Sequence, residues 1–174
     1  MRNFMISTAR WLGYLSRAAL WIASIGLVLM TLFIGWQVFG RFVLNDSPSW
    51  TEPMAVLLMG WFIFLGAAIG VREGYHLSFE IVLYVLPDRG RRVLEVVSDI
   101  VVALFGLAMA IYGYQMAART WQSTIPGLGY PGGMHFLALI AGGTLIVLFT
   151  LERLANRAAG IRPPRETDNL LVEG

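Results

Sequence analysis

The sequence has no cysteine, no lysine and little charge of either sign: Asp, Glu and Arg together make up 14% of 174 residues. The first absence excludes a disulfide framework, a thiolate metal site and a cysteine nucleophile, and leaves the redox compartment unassigned. The scarcity of charge excludes more. With 57% hydrophobic residues and a mean hydropathy of +0.66, one soluble domain has too little polar surface to cover itself.

What is present in excess is long uncharged sequence. Runs of 23 residues (Ala18 to Gly40), 19 (Pro53 to Val71), 19 (Ile100 to Ala118) and 32 (Thr120 to Leu151) separate the charges. A hydrocarbon layer of about 30 Å takes roughly 20 apolar residues in a helix, so four spans are expected, at about 18–41, 53–71, 94–118 and 134–152. The fold class this predicts is an all-α integral membrane protein with a single membrane domain over residues 1–174. The first run is too long for a signal-peptide core and lacks a small-x-small cleavage site before Trp36 and Arg41, so a retained span is expected.

All thirteen basic residues are arginines, and they cluster by loop. Arg2, Arg10 and Arg17 precede span one; Arg72, Arg89, Arg91 and Arg92 fall between spans two and three; Arg153, Arg157, Arg162 and Arg165 follow span four. Only Arg41 and Arg119 lie at the other ends. By the positive-inside rule, both termini and the middle loop are expected to face the cytoplasm. A nucleic-acid patch is the competing reading, but these arginines cap apolar runs with no folded domain to carry them; no nucleic-acid partner is expected.

Trp11 and Trp21 sit towards one end of span one and Trp36 towards the other, as amphipathic rings do at headgroup level. Ser49-Trp50-Thr51-Glu52 matches a capping box, although Pro53, easiest at the first helical position, makes Glu52 a rival N-cap; a helix starts here in either register. Gly66-Ala67-Ala68-Ile69-Gly70 is a small-xxx-small tract that admits a neighbouring helix, and Ala141-Gly142-Gly143 is a second tract suited to another membrane protein. Residues 77–86 are too short to cross. Leu77, Ile81, Tyr84 and Val85 repeat at helical spacing and arginines flank them beyond Pro87, which predicts a short amphipathic segment in the cytoplasmic interface; a re-entrant path would bury Glu80. The tail 160–174, with its Pro-Pro pair, is expected to be mobile.

Candidate chemistry is sparse. Asp99 falls seven residues after Arg92, about 10 Å along a helix. If the helix enters the bilayer near Ser98, Asp99 and Glu95 share a wet interfacial face; an interhelical bond and an ion or proton role are the alternatives. A bis-histidine haem would need His76 and His135 at matched depth, yet they belong to opposite ends of their spans. A four-span proton-coupled exporter needs an acid deep in a span, and Asp99 is shallow. The uncharged glycine- and proline-rich loop before span four neither follows a strand nor precedes a lysine, so it is no phosphate cradle. Neither catalysis, a cofactor nor a bound metal is expected.

Several of these residues together resemble the small membrane subunit of the tripartite ATP-independent periplasmic (TRAP) transporters, the DctQ-like family. The likeness is carried by Gly40-Arg41-Phe42 and Asn45, Ser49-Trp50-Thr51-Glu52, Trp61, Phe64-Leu65-Gly66-Ala67-Ala68, Arg72, His76 and Leu86-Pro87, in order over residues 10–155. One position departs: where the family has a second acid after the glutamate, this chain has Pro53. The resemblance implies a scaffold subunit packed on a large membrane subunit that carries the moving element and the sodium and substrate sites. It also implies a periplasmic binding protein that delivers an organic acid such as a dicarboxylate, keto acid or sialic acid. The interface candidates are then Arg41, Asn45, Trp50, Glu52, Trp61, Gly66, Gly70, Arg72, His76 and Asp99, with membrane lipid as a further contact. The loops around Asn45 to Glu52 and Gly127 to Gly133 would face the binding protein. A membrane anchor or accessory subunit of another inner-membrane complex is the alternative.

Overall fold

The computed structural model describes residues 2–46, 48–73 and 88–158. Four helices carry them: α1 (Arg2–Phe39), α2 (Thr51–Glu73), α3 (Asp88–Thr120) and α4 (Met134–Ala158), with a π-helical turn, Gly40–Leu44, continuing α1. All four are long and apolar enough to cross a membrane. Among the described residues the only extended pairing is one isolated bridge, Thr124 with Pro131. The all-helical, four-span expectation holds. The interfacial segment 77–86, His76 and the tail 160–174 lie outside the described residues.

Each helix outruns its expected span. Hydropathy marks where the bilayer is, whereas the backbone ladder continues until something stops it. Residues 2–12 contain neither glycine nor proline, so α1 extends well N-terminal to residue 18. In the same way α3 begins at Asp88 rather than 94, and α4 reaches Ala158 rather than 152.

The helices form a row in the order α1, α2, α4, α3, with the substantial contacts only between neighbours in that row. On α1, Ser16, Ala19, Ala23 and Gly26 are buried at spacings of three and four residues and turn one narrow face to α2. The pair is antiparallel: Gly13 faces Arg72, Gly26 faces the Leu58 carbonyl, and Phe33 meets Trp50 edge-on at 5.5 Å between centroids. Helices α2 and α4 run parallel, with Gly60 against Ala138 and Phe64 against Gly142. Between α1, α2 and α4 lies the core of Ala19, Ala23, Leu65, Ala68, Ile69, Leu145, Ile146 and Phe149.

The closest approach joins α4 to α3. A Cβ on Gly143 would stand 2.7 Å from the Gly106 carbonyl oxygen and 2.9 Å from the Ala110 nitrogen, and one on Gly106 would stand 2.7 Å from Ile146 Cγ2. Gly106, Gly113 and Ala117 are buried along one face of α3, and only side chains this small let the two backbones approach so closely. Gly142 and Gly143 are therefore consumed inside the chain, against α2 and α3. The expectation that this tract serves another membrane protein is corrected by the packing. The hydroxyls of Thr144 and the fully buried Thr150 donate to the carbonyls four residues back, which satisfies them without a neighbour.

Candidate partner interface

At the end of the row where α1 begins and α2 and α4 finish, the charged side chains of three helices converge. Asp99 on α3 is 2% exposed. Its Oδ1 lies 3.6 Å from Arg153 Nη2 and its Oδ2 lies 3.4 Å from Arg157 Nε. Arg157 also pairs with Glu95 at 3.2 Å, and Arg72 with Glu152 at 3.9 Å. Arg153 Nη1 donates to the Val71 carbonyl at 2.8 Å, so a side chain of α4 satisfies a backbone acceptor in the last turn of α2. Arg72 lies over the Phe149 ring at 5.3 Å and beside Gly13, so it touches α4 and α1 together.

The geometry follows from register. Glu95 and Asp99 are four residues apart on α3, Arg153 and Arg157 four apart on α4, and antiparallel helices present such pairs as two facing rungs. Measured from the opposite helix ends, Arg72 and Asp99 are each 21 residues in, about 31 Å at 1.5 Å per residue, the thickness of a hydrocarbon core. A span of that length separates the charged cluster from the loop end by one hydrocarbon thickness. Asp99 does not occupy a wet face: it is buried between α3 and α4 against Arg153 and Arg157, which is the interhelical contact among the expected alternatives. Sequence reading took Arg153 and Arg157 only as the basic flank of span four and missed Glu152 and the pairing, although the matched four-residue spacings of opposite charge were a readable signal.

The other end is held by backbone. The π-helical turn closes on Asn45, which adopts the left-handed region (φ 53°) and donates its N–H to the Gly40 carbonyl. Asp46 N–H donates to the same oxygen at 3.0 Å, and a Cβ on Gly40 would lie 2.7 Å from the Asp46 carbonyl oxygen. Asn tolerates this backbone better than a β-branched residue, so Gly40-Arg41-Phe42 and Asn45 build a turn. Helix α2 begins at Thr51, whose buried hydroxyl donates to the Pro48 carbonyl at 2.8 Å. The expected capping box is corrected: its hydroxyl belongs to Ser49, but the helix begins at Thr51 and the Trp50 carbonyl accepts the Met54 N–H, so Trp50 holds the cap position, and Pro53 stands at the third helical position rather than the first, which removes Glu52 as the rival cap. Gly127, at φ +82°, lies against the Ser49 carbonyl, where a Cβ would collide, so the two loops at this end form one surface.

The remaining candidates divide. Arg41 and Glu52 are exposed, and among the described residues they form no ion pair with each other. Trp50 leans on Phe33, and Trp61 packs against the core, so both are engaged within the chain. Gly66 and Gly70 behave unlike Gly106, Gly113, Gly142 and Gly143: a Cβ at either would meet nothing within 4 Å. They continue the exposed stripe of Val56, Met59, Ile63 and Ala67 along α2. The small face of α2 is open from its first turns to its last.

The family model for the DctQ component of the tripartite ATP-independent periplasmic transporters matches residues 30–160. The chain belongs to that family. Among its DctQ-family relatives, the sialic acid TRAP transporter small permease protein SiaQ of Vibrio cholerae is 30% identical over 121 residues, covering 70% of each chain. The C4-dicarboxylate small permease DctQ of the same organism is 25% identical, over 63% of this chain and 49% of the relative. The ectoine small permease TeaB of Halomonas elongata is 27% identical, over 63% and 58%. As a DctQ-family small permease, this is a multi-pass inner-membrane protein of a tripartite transport system, and the relatives are transporter subunits, not enzymes.

Proposed function

We propose that this small permease subunit is the scaffold of a TRAP transporter, which holds a large membrane subunit in place while that subunit carries out sodium-coupled uptake of an organic acid of the dicarboxylate, keto acid or sialic acid class. One observation carries the reading: the open face of α2, where Gly66 and Gly70 have no neighbour although Gly106, Gly113, Gly142 and Gly143 are filled from within the chain. A helix of the large subunit fits such a face, since lipid chains gain little there over any other apolar surface while a helix gains close van der Waals contact. The charges give the complementary argument. Glu95, Asp99 and Glu152 are each within 4 Å of an arginine, and residues 100–118 and 134–151 carry no acid, so the apolar lengths of α3 and α4 hold no carboxylate to relay an ion.

In this reading the arginine-rich end and both termini face the cytoplasm, and the joined loops around Asn45 to Glu52 and Gly127 to Gly133 face the periplasmic binding protein. His76 and residues 77–86 belong to the cytoplasmic side, at lipid or at the large subunit. The test is reconstitution. Vesicles containing this chain alone are expected to take up no organic acid on a sodium gradient, and vesicles with the large subunit and the binding protein are expected to do so. Uptake by the chain alone would sink the scaffold reading.

A further inference from the structure

We infer that Arg17, with Tyr14 and Trp21, forms a binding site for the phosphate of an anionic phospholipid on the face of α1 turned away from the rest of the chain. The rotation of α1 is fixed by Ser16, Ala19, Ala23 and Gly26 against α2, and this puts Arg17 outside. Tyr14 and Trp21 stand three residues before and four after it, on the same face, 60% and 67% exposed. At the charged end the guanidinium groups of Arg72, Arg153 and Arg157 are matched by the carboxylates of Glu95, Asp99 and Glu152. Arg17 has no such partner among the described residues.

Its depth makes that isolation informative. Arg17 is one turn, about 6 Å, on the membrane side of Gly13, which is level with Arg72. It lies 19 residues from Trp36, about 28 Å, so with Trp36 in one headgroup layer Arg17 falls in the other. In that layer the guanidinium is within reach of lipid phosphates and carries no carboxylate of its own chain among the described residues. A lipid phosphate is at the right level, accepts two parallel N–H bonds from a guanidinium, and has room for further donors from the Tyr14 hydroxyl and the Trp21 indole N–H. An acidic side chain of another protein is the competing occupant, but the aromatic residues on both sides of Arg17 are those of a headgroup belt.

Native mass spectrometry of the full chain, with phosphatidylglycerol or phosphatidylcholine added at equal concentration, tests this. The unaltered chain is expected to retain phosphatidylglycerol about fivefold more than phosphatidylcholine, the order expected for one arginine at an anionic surface. R17Q is expected to lose that preference, R17K to keep part of it, and R119Q, which alters an arginine at the other end, to keep all of it. Equal retention of the two lipids by the unaltered chain and by R17K overturns the proposal whether or not R17Q folds. An undiminished preference in R17Q overturns it, as does equal loss in R17Q and R119Q. If R17Q keeps the preference but no longer co-purifies with the large subunit, the occupant is protein and the lipid site is refuted.

Discussion

Asp99 shows how much one residue depends on its neighbours. Alone on an apolar helix it would carry a desolvation cost of several kcal/mol; between Arg153 and Arg157 that cost is offset by two opposite charges within 4 Å. Its Oδ2 makes no hydrogen bond of good geometry, so the Arg157 contact is an ion pair only. Removing the acid leaves Arg153 without its carboxylate and Arg157 with Glu95 alone. Asp99→Ala is therefore expected to destabilise the chain by about 3 kcal/mol, measured by denaturant unfolding in detergent. The double variant Asp99→Ala with Arg153→Met should recover part of the loss, because it removes the charge left without a carboxylate. Equal destabilisation by the single and double variants would show that the pairing contributes nothing.

At the scale of elements, two small-residue tracts that look alike in the sequence have opposite uses. Gly142 and Gly143 are filled by Phe64 of α2 and by Gly106 and Ala110 of α3, whereas Gly66 and Gly70 are open. Substitutions separate them. Gly143→Leu is expected to unfold the chain by itself, because the added atoms meet backbone that cannot move aside. Gly66→Leu and Gly70→Leu should leave the isolated chain as stable as before and abolish co-purification with the large subunit. Assembly that survives both substitutions removes the open face from the interface. Nothing in the local sequence distinguishes the tracts, since both are short runs of glycine and alanine in apolar helices; the difference is which neighbour each meets.

For the whole molecule, helix packing brings the start of α1, the end of α2, the start of α3 and the end of α4 to one side, so the arginine bias accumulates there. The lack of cysteine makes the resulting orientation simple to measure. Single cysteines in place of Glu73 and Gln122, both exposed and at opposite ends, should react with an impermeant thiol reagent only after cell lysis for the first and in intact spheroplasts for the second. The reverse pattern would invert the topology. By itself the sequence determined the number of spans, the helix class and the arginine asymmetry, because burial in lipid is decided by the apolarity of consecutive residues and needs no partner. Only the tertiary structure decided the row α1, α2, α4, α3, the pairing of Asp99 with arginines more than fifty residues away, and which glycines remain open. In lipid, side chains facing solvent and side chains facing another helix are equally apolar, so the pattern that reveals a buried face in water is missing, and neighbours are chosen by shape and by a few matched charges.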